Sequence, residues 1–188
     1  MGGCACVGSS GPADRGRRQG RRPQVQQVRD GRPVTPDRIS GTGVGALRRE
    51  FEFLGNHIRL LQATEDTRSA YTMVEMTWDA GFSVPPHMHS REDEATYVLE
   101  GRIRFWLDGK TFEAGPGEFV TKPKGIPHAM SNGQGGSCRF LEVYTPAGLE
   151  GYFWEVAQLF ASGKLSAQTI GHIQATYGIS PVNPGDGG

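Results

Sequence analysis

Residues 87–94 read HMHSREDE. Side chains on an extended strand alternate between its two faces, so His87 and His89 point the same way. Such a pair becomes a site only if a third nitrogen and a carboxylate converge on it. Glu94 follows five residues after His89. The chain holds five histidines, and the third of this group is His128. It lies in GEFVTKPKGIPHAMSN (117–132), on a separate strand behind a rigid turn containing Pro123, Gly125 and Pro127. Three imidazoles and one carboxylate suit one divalent transition metal, and Fe, Mn, Ni, Co and Zn all accept such a set. Four ligands leave an octahedral ion two open positions for water, substrate or dioxygen.

The flanking sequence reads as short strands cut by turn residues. AYTMVEMTW (70–78) places Thr72, Val74, Met76 and Trp78 on one side, and RIRFWLDG (102–109) places Ile103, Phe105 and Leu107 on one face. HIRLLQA, EATYVLEG, EFVTKP, HAMSN and CRFLEVYT read the same way, and DGK at 108–110 signals a hairpin. Ordered structure is expected to begin near Leu47–Phe53. About eight strands at regular spacing, with Gly and Pro turns, predict an all-β sandwich or barrel. If the strands alternate without a bulge, Thr96 and Val98 share the face of Glu94, and Met130 shares that of His128. These three are the candidate substrate-pocket residues.

The pattern changes after Tyr144. TPAGLEGYFWEVAQLFASG predicts a helix, with Pro146 near its start and Gly163 past its end. Ser166 is the expected N-cap of a second helix, whose Ile170, Ile173 and Tyr177 form an apolar stripe and whose C-terminal cap is Gly178. Both helices are expected to pack on the barrel, with NPGDGG as a frayed end. The expected organisation is a tail over 1–45, a barrel over 46–147 and a helical extension over 148–188.

The 188 residues carry a formal net charge of zero, so no strong field points to nucleic acid or a membrane surface. Residues 1–45 hold eight Arg against three Asp and almost no large apolar side chains. That composition cannot bury enough surface to offset its ordering entropy, so the segment is expected to be disordered. Its RGRRQGRR run (15–22) is read as solvated rather than as an arm for RNA or an acidic partner. Three cysteines, Cys4, Cys6 and Cys138, make no disulfide framework, and Cys4 and Cys6 are too few for a structural metal site. MGGCACVGSS lacks the charged start and apolar stretch of a signal peptide, and position 6 is Cys where the myristoylation pattern needs Ser or Thr. A cytoplasmic protein is the expectation. Asn132 is read as a turn former, and Cys138 as a small apolar strand residue. His57 and His172 are read as bystanders.

The two histidine-bearing stretches resemble the cupin superfamily. Its first motif stands here as Gly81, FSVPP, His87, Met88, His89, SRED, Glu94, ATYVLE, Gly101. The second stands as Gly117, EFVTK, Pro123, Lys124, Gly125, IP, His128, AMS, Asn132, and every fixed position is filled. The YTPAGLEGYFWEVAQLF ending resembles small single-domain bacterial cupins of the quercetin dioxygenase-like kind. The resemblance implies a jelly-roll barrel whose metal is held near its middle by His87, His89, Glu94 and His128. The expected arrangement has Glu94 on a hairpin-adjacent strand beside the His-x-His pair, with His128 closing the set from across the barrel. It further implies a dioxygenase acting on a small aromatic, enol or polyketide-like compound, with Glu94 serving both as ligand and as proton acceptor. The fold hosts other activities. A zinc-dependent cyclase, isomerase or lyase and a non-catalytic small-molecule binder are the alternatives. An open jelly roll has sheet edges that need cover, and small cupins commonly pair, so a homodimer is expected.

Overall fold

The computed structural model describes Met1, residues 50–133 and residues 135–183. The expectations for the 1–45 tail, for Cys4 and Cys6, and for residues 184–188 lie outside the described residues.

Eleven strands among these residues form two sheets in which every pairing is antiparallel. The larger sheet has the order β1 (Glu50–Phe53), β2 (Asn56–Gln62), β3 (Thr72–Trp78), β10 (Cys138–Thr145), β5 (Asp93–Glu100), β8 (Phe119–Lys122). The smaller has the order β11 (Ile179–Pro181), β4 (Ser83–His89), β9 (His128–Asn132), β6 (Ile103–Leu107), β7 (Lys110–Ala114). A single turn of helix, α1 (Thr64–Thr67), links β2 to β3. The expected alternation holds where it was clearest: Thr72, Val74, Met76 and Trp78 are buried on β3, with the residues between them partly exposed. Phe140 on the neighbouring strand β10 packs edge-on to Trp78 at a ring separation of 4.8 Å. Removing each such side chain from water contributes about 1.5–3 kcal/mol. At the β6–β7 hairpin, Asp108 and Gly109 both take positive φ, 47° and 78°, as a two-residue type I′ turn requires.

Three strands exceed the sequence expectation. They are the short β1, the edge strand β7 that completes the hairpin, and β11. The last pairs with β4 through Ile179↔His89 and Pro181↔His87, so the C-terminal segment adds a strand to the sheet as well as helices. The helices are α2 (Glu150–Ala161) and α3 (Ala167–Thr176). Tyr152, Phe153, Val156 and Ala157 of α2 are buried, and Phe153 packs edge-on to Phe53 at 5.3 Å. Ser166 caps α3 as expected, accepting from the Thr169 amide, and Ile173 is the buried member of the predicted stripe. No helix among the described residues is long and apolar enough to cross a membrane.

One irregularity positions the site. Along β4 the pairing with β9 runs Ser83↔Ser131 and Val84↔Met130, then shifts to His87↔His128. Three steps along β4 match two along β9, so one extra residue sits at Pro85–Pro86. Proline cannot donate to a ladder, and a bulge is where a strand tolerates it. The extra residue exchanges inward and outward faces, and this turns His87 and His89 toward the interior.

Candidate metal centre

His87 and His89 come from β4 and His128 from β9, its hydrogen-bonded neighbour in the smaller sheet. Glu94 comes from β5 in the larger sheet. The expected geometry is therefore reversed: His128 stands beside the His-x-His pair, and Glu94 closes the set from across the barrel. The cause is strand order, since β4 pairs with β9 and not with β5. One potential ligand atom from each of the four residues lies within 4.8 Å of the others. His89, Glu94 and His128 are buried, and His87 is partly so.

Outer contacts fix the imidazoles. His87 Nδ1 lies 2.9 Å from the Pro85 carbonyl and His128 Nδ1 lies 3.0 Å from the Ile126 carbonyl. A carbonyl can only accept, so each Nδ1 carries the hydrogen and each Nε2 presents a lone pair. His89 Nδ1 faces Glu92 Oε2 at 3.5 Å without a hydrogen bond between them, and both side chains are buried. Carbonyl partners such as those of His87 and His128 orient metal-binding histidines. Burial first, and the neighbouring His128 second, push the His87 pKa down to about 4, so this imidazole is neutral at physiological pH.

A misfit inside the cluster argues that the four residues fit a cation. Glu94 Oε2 lies 3.0 Å from His128 Nε2 and 3.4 Å from His89 Nε2. Glu94 Oε2 and His128 Nε2 are buried and find no hydrogen-bond partner. A carboxylate oxygen and an imidazole lone pair are both acceptors. Buried acceptors aimed at one another need a positive species between them. A divalent first-row ion matches the donor set. Held there, it would take Nε2 of His87, His89 and His128 and Oε2 of Glu94.

Behind Glu94 lies a second charge cluster. Lys122 on β8 is fully buried and donates to Glu94 Oε1 at 2.6 Å. Its ammonium also lies 3.1 Å from both carboxylate oxygens of Glu142 on β10, and 2.9 Å from Met130 Sδ. Thr96 donates its hydroxyl to Glu142. Burial alone would raise the Glu94 pKa, but the Lys122 ammonium, with smaller help from Glu142 and His128, outweighs that and holds it well below the ordinary carboxylate value. Burial dominates at Glu142 and pushes it well above the ordinary carboxylate value, so of the two carboxylates Glu142 takes up a proton more readily. Burial would likewise lower Lys122, but Glu142 and Glu94 together raise it.

The cluster opens onto a cavity of about 280 Å³. Its walls are mostly apolar: Trp78, Phe82, Val84, Leu149, Phe153 and Ile179, with His87, His89, Glu94, Glu142 and Tyr144 at the polar end. Of the candidate pocket residues, Met130 lines this space. Thr96 and Val98 point into the barrel and are fully buried, but they are not among the cavity-lining residues. Thr96 is occupied by Glu142, and Val98 packs in the core. Asn132 fixes a turn as expected, donating to the carbonyls of Trp78, Asp79 and Gly136. Cys138 is buried, and burial pushes its thiol up to about 11, in keeping with a structural role.

The sequence reading missed Lys122, Glu142, Tyr144 and Glu92. Parity offered a signal for the first three. Lys122 stands opposite Glu94, Glu142 opposite Thr96 and Tyr144 opposite Glu94, so all share the inward face.

A family profile described as the cupin domain matches residues 74–144. Over 71 residues the chain is 28% identical to quercetin 2,3-dioxygenase of Bacillus subtilis (strain 168), covering 38% of this chain and 21% of that protein. Over 74 residues it is 30% identical to the HTH-type transcriptional regulator PuuR of Escherichia coli (strain K12), covering 39% of this chain and 40% of the regulator. The chain thus spans less than half the length of these curated relatives. Among solved structures, the polyketide cyclase RemF from Streptomyces resistomycificus is 38% identical, with 52% of this chain and 69% of that chain covered at a TM-score of 0.44. KdgF from Halomonas sp. is 21% identical, with 52% and 84% covered at a TM-score of 0.47. The profile match falls on the strands that carry both histidine motifs, and on that ground residues 74–144 form a cupin domain.

Proposed function

We propose that this cupin is a metal-dependent enzyme that oxygenates a small, flat, largely apolar compound bearing an enol or phenol oxygen. The observation that carries the reading is the junction of an apolar cavity with the His87, His89, Glu94 and His128 cluster. At about 280 Å³ the space sits near the lower end of small-ligand sites, roughly 300–1,000 Å³. A divalent ion held by the four residues supplies Lewis acidity toward a substrate oxygen and, where redox-active, a path for electrons to dioxygen. Trp78, Phe82 and Phe153 exclude water and offer ring faces to a planar substrate. Tyr144 and Glu142 border the same space and are placed to exchange a proton with it. The stretch of likeness to quercetin 2,3-dioxygenase supports the same direction.

One observation favours a second reading, a zinc-dependent cyclase, isomerase or lyase. Lys122 occupies Glu94 Oε1, so a single carboxylate oxygen would have to serve both as ligand and as proton acceptor. Chemistry that needs the ion only as a Lewis acid avoids that double duty. The deciding experiment is elemental analysis of protein purified without chelator, joined to oxygen uptake on a panel of phenols and β-diketones. A redox-active metal near one per chain, with oxygen consumed in step with substrate, is the expected result. Stoichiometric zinc with turnover and no oxygen uptake establishes the second reading. Bound metal without any turnover refutes both in favour of a binder.

A further inference from the structure

We infer that Lys122 is a positioning residue that reserves one oxygen of Glu94 and leaves the other as the single carboxylate oxygen turned to the three imidazoles. The inference rests on the metal-site reading and goes beyond it, because Lys122 lies outside the set of potential ligands. Its ammonium sits 2.6 Å from Glu94 Oε1, while Oε2 faces His128 and His89. A carboxylate beside a cation can rotate to offer both oxygens or swing off one of them. Here rotation would break a charge-assisted bond between two buried groups.

The lysine is itself held from three sides. Glu142 presents both oxygens at 3.1 Å, Met130 Sδ lies at 2.9 Å, and the Phe105 ring centre lies 5.8 Å away. Thr96 in turn secures Glu142. These contacts come from β5, β6, β9 and β10, so both sheets lock the head group in place. With an ion bound, a one-oxygen Glu94 would leave free a coordination position that a two-oxygen Glu94 would fill. The residue thereby acts on what the site can bind through Glu94, without touching the ligand itself.

The test uses full-length protein loaded with cobalt(II), whose visible spectrum reports coordination number. The variant is Lys122→Met with Glu142→Gln, which removes the clamp without leaving Glu142 as an uncompensated carboxylate. Loss of an outer-shell partner typically costs about 10–100-fold in metal affinity. The expected result is cobalt binding weakened into that range, a changed visible spectrum and weaker azide binding at the open position. Cobalt affinity and spectrum equal to the parent, with only a lowered melting temperature, would show a purely structural lysine and overturn the inference. Should the variant not fold, X-ray absorption of the cobalt-loaded parent decides alone. One carboxylate oxygen at the ion upholds the inference, and two oxygens overturn it while leaving the metal reading intact. A parent that binds no cobalt sinks the metal reading, and this inference with it.

Discussion

Replacing Lys122 by Met tests the buried charge cluster through stability. The side chain is fully shielded from solvent, with Glu94 at 2.6 Å and Glu142 at 3.1 Å. Methionine has nearly the same length and volume, so the packing change is small. What remains is an ionised Glu94 in a dry interior with no cation beside it. Breaking a buried ion pair by removing one partner costs about 3–5 kcal/mol. Against a typical domain stability of about 5–15 kcal/mol, that loss is readily measured. The assay is urea unfolding of metal-free protein at neutral pH, comparing Lys122→Met with the parent. Adding Glu94→Gln to the variant removes the stranded charge and should restore about 2 kcal/mol, since the penalty lies in the unpaired group. The pH dependence has a definite sign. In the parent, Glu94 is held well below its ordinary value of 4.5, so its contribution is present above that pH and is lost as pH falls through the folded value. The variant lacks that contribution, so the gap between the two proteins should narrow below about pH 4.5. A loss under about 1 kcal/mol, or a further loss on adding Glu94→Gln, refutes the reasoning.

Three further outcomes follow from the same structure. His128→Ala should lower bound metal at least about tenfold by elemental analysis, because β9 supplies no other ligand; unchanged metal content would end the assignment. In metal-free protein, the His87 pKa lowered from 6.5 to about 4 means the unfolded chain binds a proton that the fold rejects. Stability should therefore fall by about 3 kcal/mol as pH drops from 6.5 to 4, and His87→Gln should remove that share of the slope in denaturant titrations. Ser166→Ala deletes the acceptor for the Thr169 amide at the start of α3 and should cost about 1 kcal/mol. Because α3 carries the cavity residues Ile170 and Gln174, the same change should weaken binding of an apolar phenol, measured by calorimetry.

The sequence alone determined the candidate ligand set and the fold class. Residue type and spacing are local facts: two imidazoles two apart, a carboxylate five further on, and a third imidazole behind a proline turn. The alternation of β3 and β6 was equally legible, because a strand with one buried face writes a period of two into its residues. Tertiary structure decided how these parts meet. The bulge at Pro85–Pro86, visible only as a shift in the pairing of β4 with β9, sets which face the histidines take. Strand order, which no local pattern encodes, puts His128 beside His87 and sends Glu94 across the barrel. Lys122 and Glu142 looked like ordinary polar residues of half-exposed strands. They become a buried ion cluster because β8 and β10 flank β5 in one sheet, and a charge is stable inside only where distant chain segments bring it a partner. The C-terminal wall of the cavity has the same origin. Three residues of β11 carry too little pattern to be read as a strand, and only the open edge of β4 makes them one.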